Sequence, residues 1–238
     1  MQGKKISLIL SKTFFISAFI NNCLMKCSFH YKLLYTDISG VSNARNIGIE
    51  QSNGKYLAFI DDDDIVSENY LQGLYDVAQN DVIPLSYIME FTENIFNTTS
   101  YYITNVYEKN FNKKLSILKI RSYFSVPVCK LITREMIGDF RFDRRFSKGE
   151  DSLFMFAISR RNDKYEFTSR NAVYYRRIRT DSLSTQKVSK TYIILNSIKL
   201  ILAATTIYFK APRRYSLLFF VTRVLAFLKI IFLKFNSN

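Results

Sequence analysis

Histidine is nearly absent from this 238-residue chain, where His30 stands alone. A Ser–His or Cys–His nucleophilic site would have to be built on that single imidazole, and a His-rich zinc site is excluded. Cysteine is scarce too. Cys23, Cys27 and Cys129 form an odd set without framework spacing, and no second ligand pair accompanies Cys23 and Cys27, so all three read as reduced cytosolic thiols. Missing also is any uncharged apolar run of the roughly 18 residues that a membrane-spanning helix needs. The N-terminus, charged and then apolar, has the look of a signal peptide, but Lys12 interrupts the run and no small-residue cleavage site follows, which assigns it to the fold. No helix-turn-helix, zinc-finger or aromatic-basic signature is present, which argues against a nucleic-acid partner.

Apolar residues, by contrast, make up 48% of the chain, enough for the core of one sizeable α/β domain with an appendage. The formal net charge of +14 is divided unevenly: residues 1–108 carry 7 Lys and Arg against 12 Asp and Glu, and residues 109–238 carry 27 against 8. A basic half of this kind points to phosphorylated ligands or an anionic membrane surface. In the acidic half, four consecutive carboxylates, Asp61 to Asp64, follow the hydrophobic run "YLAFI". Adjacent like charges repel and an unpartnered carboxylate is costly near a low-dielectric core, so a positive group belongs beside them.

Around these aspartates the pattern alternates strand and helix. Lys4 and Lys5 lead into an opening strand, "ISLIL", and "TFFISAFINNCLMKC" has the spacing of a buried helix. "YKLLYTD" reads as a second strand, "SNARNIGIEQS" as a short helix, and "KYLAFID" as a third strand whose continuous apolar run suits a sheet covered on both faces. Ser67 and Glu68 are placed to cap a helix through "NYLQGLYDVAQ", with Leu71, Leu74, Tyr75 and Ala78 on one face. Such alternation predicts a mostly parallel sheet, and open sheets of this kind bind ligands at the carboxyl ends of strands, where Asp61 to Asp64 fall. Carboxylates there suit a hard divalent cation, Mg²⁺ or Mn²⁺, that bridges to phosphates. The alternative is a solvated acidic turn that caps the following helix.

The stretch "GVSNARNIGIEQSNGKYLAFIDDDD" resembles, nearly position for position, the segment of family 2 glycosyltransferases in which a G-x-S-x-A-R-N helix leads into a strand ending in Asp-x-Asp-Asp. "KLITREMIGDFRFDRRFSKGEDSLFMFAIS" is similar to the acceptor-side stretch with its Gly-Glu-Asp motif, and "YYRRIRTDSLS" to the segment that closes the catalytic domain, so the resemblance covers roughly residues 38–186. It implies a GT-A-like three-layer α/β fold, a nucleotide-sugar donor, a divalent metal and inversion at the anomeric carbon. By the same resemblance, Asp61 contacts the ribose side of the donor, with Asp62 beside it, and Asp63, with Asp61, ligates the metal. Arg45 and Asn46 match the family's Arg-Asn pair and hold the nucleotide or buttress the aspartates. Asp151 matches the general base and Glu150 orients acceptor or base, against the plainer reading of an acidic first helical turn. Arg176, Arg177 or Arg179 is placed to stabilise the leaving diphosphate, or to form a solvated basic face.

The family's Pro-x-Tyr-Asn and Asp-Asp-Gly-Ser turns are missing, and only 39 residues precede Gly40. Asp37 ends a strand and is a candidate substitute for the base-reading acid. Two readings follow: a shortened nucleotide-binding half, or a truncated, inactive member that binds a membrane or a partner. Beyond the catalytic stretch (1–190), residues 191–238 form a tail in which "TYIILNSIKLILAATTIYF" and "YSLLFFVTRVLAFLKIIFLKF" flank "KAPRR". Lys199, Arg223 and Lys229 interrupt both runs, which predicts amphipathic helices lying on an anionic membrane with snorkelling cations, or else a packed hairpin. The combined expectation is a metal-dependent transferase bound peripherally to the inner face of the cell membrane, acting on a saccharide or lipid-linked acceptor of a surface polysaccharide. The surface-polysaccharide role is analogy with the family.

Overall fold

The computed structural model describes residues 8–12, 31–78, 82–179 and 189–236. The helix predicted within 13–27, Cys23, Cys27 and His30 lie outside the described residues. Strand β1 (Leu8–Lys12) pairs in parallel with β2 (Tyr31–Tyr35), and α1 (Val41–Gln51) follows. Gly40 precedes α1 at φ 120°, a backbone setting that side chains with a Cβ rarely adopt. The buried Asn43 ties the start of this helix to the end of β2, donating to Thr36 Oγ1 at 3.1 Å and Ile38 O at 2.9 Å.

The third strand is shorter than its apolar run. Only Tyr56–Leu57 forms β3, antiparallel to β8 (Ile132–Thr133), whereas Phe59 turns into an aromatic cluster, edge-on to Phe142 and Phe154 at 5.5 and 6.3 Å. Side-chain packing rather than a strand ladder therefore carries the chain to the aspartates. After them come β4 (Ile65–Val66), α2 (Tyr70–Ala78), β5 (Ile83–Leu85), β6 (Tyr87–Phe91), β7 (Thr98–Ser100) and α3 (Tyr102–Asn110). The short α4 (Arg134–Ile137), α5 (Glu150–Ile158), β9 (Tyr165–Phe167) and β10 (Val173–Arg177) complete the α/β part. The central sheet runs β4-β10-β6-β7. The longest ladders, β1–β2 and β6–β10, are parallel, as the alternation predicted; β3–β8, β4–β10 and β6–β7 are shorter and antiparallel.

Ser67 does not cap α2. Its hydroxyl accepts from Val173 N and donates to Asn171 O, at 2.9 and 2.8 Å, which fastens the segment after the aspartates to β10. Tyr70, Leu74 and Ala78 are the buried residues of α2; Leu71 and Tyr75 lie half-buried at its border. Helix α5 is apolar on every side, with Leu153 to Ile158 all buried, the signature of a helix enclosed by its domain.

The tail forms two helices, α6 (Lys190–Lys210) and α7 (Leu217–Asn236), packed on each other and on α5. Leu200 and Ala204 of α6 and Phe219 and Phe227 of α7 enter the core, and Tyr215 donates to Ala157 O at 3.0 Å. Among the described residues, α6 is long and apolar enough to cross a membrane by length and composition, even though Lys199 interrupts its apolar run. Arg223 is not a snorkelling cation. It is buried, donating to Arg121 O at 2.6 Å and Ser152 Oγ at 2.7 Å, and burial lowers its pKa to about 10. Arg214 likewise lies over the Phe140 ring at 4.9 Å. Arg223→Ala strands these acceptors and opens a cavity, so a loss of about 2–4 kcal/mol is expected in urea denaturation, with less for Arg223→Met.

Candidate active site

Asp61 follows the short β3, and Asp151 is the second residue of α5. Arg45 of α1 joins them: Nη2 donates to Asp61 Oδ1 at 2.8 Å and Nη1 to Asp151 Oδ1 at 2.5 Å. The Arg45 side chain is only 10% exposed and lies over the Phe142 ring at 5.3 Å, so its position leaves little freedom. Burial works against its charge, but Asp151 and Asp61 more than offset this and raise its pKa. Phe142 itself is held from both sides. Its ring stacks on Phe154 at 3.8 Å, and its backbone N–H and C=O are both bonded to the Asn46 carboxamide at 2.8 Å. Asn46, predicted to touch the donor, thus braces the loop beneath Arg45.

Asp151 sits at the positive N-terminus of α5, where an anion is favoured. Burial nevertheless pushes its pKa up to about 7; Arg45 pulls it down, and Glu150 and Asp61 push it further up. Glu150 Oε2 is buried without a hydrogen-bond partner among the described residues. Gly149 before them has φ +88°, and a Cβ there would stand 2.5 Å from Leu200 Cδ1 of α6. Only glycine meets both conditions readily. The same loop is tied to α6 by Asn196, which donates to Lys148 O at 2.9 Å, and by the Ser147–Tyr192 hydroxyl pair at 2.6 Å. The first turns of the tail therefore shape the loop that carries the carboxylates.

The aspartate run finds the positive and donor groups that its charge demands. Asp63 Oδ2 pairs with Arg179 Nη2 at 2.7 Å. Asp64 accepts from the Tyr174 hydroxyl at 2.6 Å and from Arg177 N–H at 2.8 Å, while Tyr174 accepts the Asp61 N–H at 3.1 Å. Burial raises the Asp64 pKa to about 6 against those two hydrogen bonds. Asp62 is exposed. Of the candidate arginines, Arg176 pairs with Glu90 and lies over the Tyr101 ring, so Arg179 is the one brought to Asp63. No sequence motif singles out Tyr174 or Phe142 as part of the site. Strand alternation in "VYYRR" marks Tyr174 as an inward residue, but nothing local marks its hydroxyl as a bridge between two aspartates. Among the described residues, no three His, Cys, Asp or Glu side chains converge as a metal cage.

One arginine thus joins a carboxylate of the aspartate run to a carboxylate at a helix start, on an α/β scaffold. The model of glycosyl transferase family 2 matches residues 19–140, about half of the chain, and the chain belongs to that family. It is 28% identical over 161 residues to the minor teichoic acid biosynthesis protein GgaB of Bacillus subtilis, covering 63% of this chain and 17% of that one. To the glycosyltransferase GlyG of Streptococcus pneumoniae it is 30% identical over 152 residues, covering 58% of this chain and 49% of that one. The chain thus spans half the length of these relatives or less. The crystal structure of S. aureus TarS 1–349 in complex with UDP-GlcNAc superposes with a TM-score of 0.69 over 96% of this chain and 63% of that one. At 15% identity this likeness shows the fold, which is GT-A.

Proposed function

We propose that this chain transfers a sugar from a nucleoside-diphosphate donor to a hydroxyl of a saccharide acceptor, with inversion at the anomeric carbon, in the assembly of a cell-surface polysaccharide. The observation that carries this reading is Arg45, which holds a donor-side carboxylate, Asp61, and an acceptor-side carboxylate, Asp151, on one guanidinium. Asp151 is the base. It takes the proton of the acceptor hydroxyl as that oxygen bonds to the anomeric carbon, and the bond from that carbon to the diphosphate oxygen breaks. A pKa raised by burial to about 7 makes Asp151 a stronger base than an ordinary carboxylate, suited to accept a proton near neutral pH. Glu150 Oε2, which has no hydrogen-bond partner among the described residues, is the atom we assign to accept from a second substrate hydroxyl. Arg179 supplies positive charge on the leaving-group side. The names of GgaB, a teichoic acid biosynthesis protein, and of TarS bound to UDP-GlcNAc support the polymer class and a uridine-nucleotide donor.

Mg²⁺ or Mn²⁺ bound with a diphosphate needs only one or two protein carboxylates, so the lack of a three-ligand cage among the described residues is compatible with it. Asp63, with Asp61 as second candidate, fits that mode, and a cation there would neutralise charge that develops on the diphosphate. Asp63→Ala is expected to weaken Mn²⁺ binding in the presence of UDP at least tenfold, read by electron paramagnetic resonance titration. Unchanged Mn²⁺ affinity in a folded variant removes Asp63 from this role.

Residues 1–190 act as the catalytic unit, and residues 191–238 as a tail that seats it on the inner face of the cell membrane, where a lipid-linked acceptor is presented. Leu218, Val221, Leu225, Leu228 and Phe232 are exposed along one stripe of α7, with the exposed Lys229 beside them. Anionic vesicles should bind the chain more weakly as salt rises, without complete release. Leu225→Glu with Leu228→Glu should abolish sedimentation with vesicles at an unchanged melting temperature, and retained sedimentation overturns the membrane reading. The transferase reading is tested by UDP-sugar binding and by the anomeric configuration of the product in NMR. A retained configuration, or no nucleotide binding with either cation, overturns it.

A further inference from the structure

An open cleft of ≈ 580 Å³ lies between α1 and the loop that leads to α5, lined by Asn46, Arg141, Phe142, Asp143, Arg144 and Arg145. We infer that this cleft is a subsite for a phosphate group of the acceptor, which makes the acceptor a phosphate ester of a sugar or polyol; the inference rests on the transferase reading above. Half of the lining residues are arginines, and their charges are compensated unequally. Arg141 faces Glu50 at 3.3 Å and turns its other donors to Gly138 O and Phe140 O. Arg145 pairs with Asp143 of its own loop at 2.6 Å, while its side chain stays 79% exposed. Arg144 donates to the neutral Asn43 carboxamide at 3.2 Å and has no carboxylate partner among the described residues. The cleft therefore carries a net positive charge with guanidinium N–H groups free, the geometry that phosphate oxygens engage in pairs.

Its location assigns the anion to the acceptor. Phe142 is a wall of the cleft and also lies under Arg45, which grips Asp151, and the loop continues from Arg145 through Gly149 into Glu150 and Asp151. The cation proposed above for the diphosphate of the donor is a different one, Arg179 on Asp63, and it does not line this cleft.

The test uses the full chain and its Arg144→Gln, Arg145→Gln double variant, titrated with glycerol 3-phosphate, UDP and glucuronate and followed by NMR. For glycerol 3-phosphate the Kd should rise at least tenfold in the double variant and its salt dependence should flatten, while UDP affinity with Mn²⁺ stays within twofold. Arg144→Lys with Arg145→Lys should recover part of the loss. A variant that loses UDP but keeps glycerol 3-phosphate would move the cleft to the donor and overturn the inference. So would unchanged glycerol 3-phosphate binding, or glucuronate binding wild type as tightly as the phosphate does. Intact UDP binding by wild type keeps the transferase reading standing in each of those cases, so the two failures are distinguishable.

Discussion

Asp151→Asn is expected to slow sugar transfer by about 10²–10⁴-fold with UDP affinity unchanged, because it removes a proton acceptor and keeps the shape of the side chain. Two pH effects accompany this loss and separate it from a structural one. The base works when ionised, so kcat/KM of the wild-type chain should rise with pH and level off above its pKa of about 7. Stability should move the other way. The folded pKa lies above the ordinary 3.8, so the folded chain holds the proton more tightly than the unfolded chain, and stability falls as pH climbs from about 4 to about 7. The Asn variant has no proton to lose there, and its melting temperature should show less of that decline. Normal transfer by the variant, or a wild-type rate indifferent to pH between 5 and 8, excludes Asp151 as the base.

Arg45→Ala should be nearly as damaging, for a different reason. Without the guanidinium, Asp61 and Asp151 face each other with no cation between them, and removing one partner of a largely buried pair costs about 3 kcal/mol or more. Arg45 also lowers the pKa of Asp151, so the kcat/KM profile of the variant should shift to higher pH, with a deep loss at pH 7 and partial recovery near pH 9. Lysine cannot repair this, because a single ammonium does not reach two carboxylates in the forked geometry of Nη1 and Nη2. Arg45→Lys should keep most of the stability and little of the rate. A variant with wild-type pH dependence would leave Arg45 only a packing role.

Much of the site could be read from short stretches. The aspartates follow a partly buried apolar segment, and the Gly-Glu-Asp run opens a helix, because these features depend on neighbours a few residues away. Gly149 illustrates the limit. A glycine permits the positive φ it adopts here, but the second demand on it, the approach of Leu200 from α6, comes from a residue 51 positions later in the chain. The same holds for Asn46, whose polar side chain resembles a ligand-binding group in sequence and is bonded at both atoms to Phe142 in space.

Arg223 shows why charge pattern alone misled. An arginine amid Phe, Val and Leu on an apolar helix fits a membrane surface and a buried cap over backbone carbonyls equally well, since either site satisfies its donors and covers its stem. Docking of α7 onto Arg121, Phe124 and Ser152 selected the second. Composition, spacing and local propensity determined the α/β character and the order of elements as far as α2, and the resemblance to the family pointed to the candidate carboxylates. Tertiary structure alone decided which cation each carboxylate holds, because the energy of an ion pair falls with distance and rises with burial, and neither quantity exists until distant segments pack together.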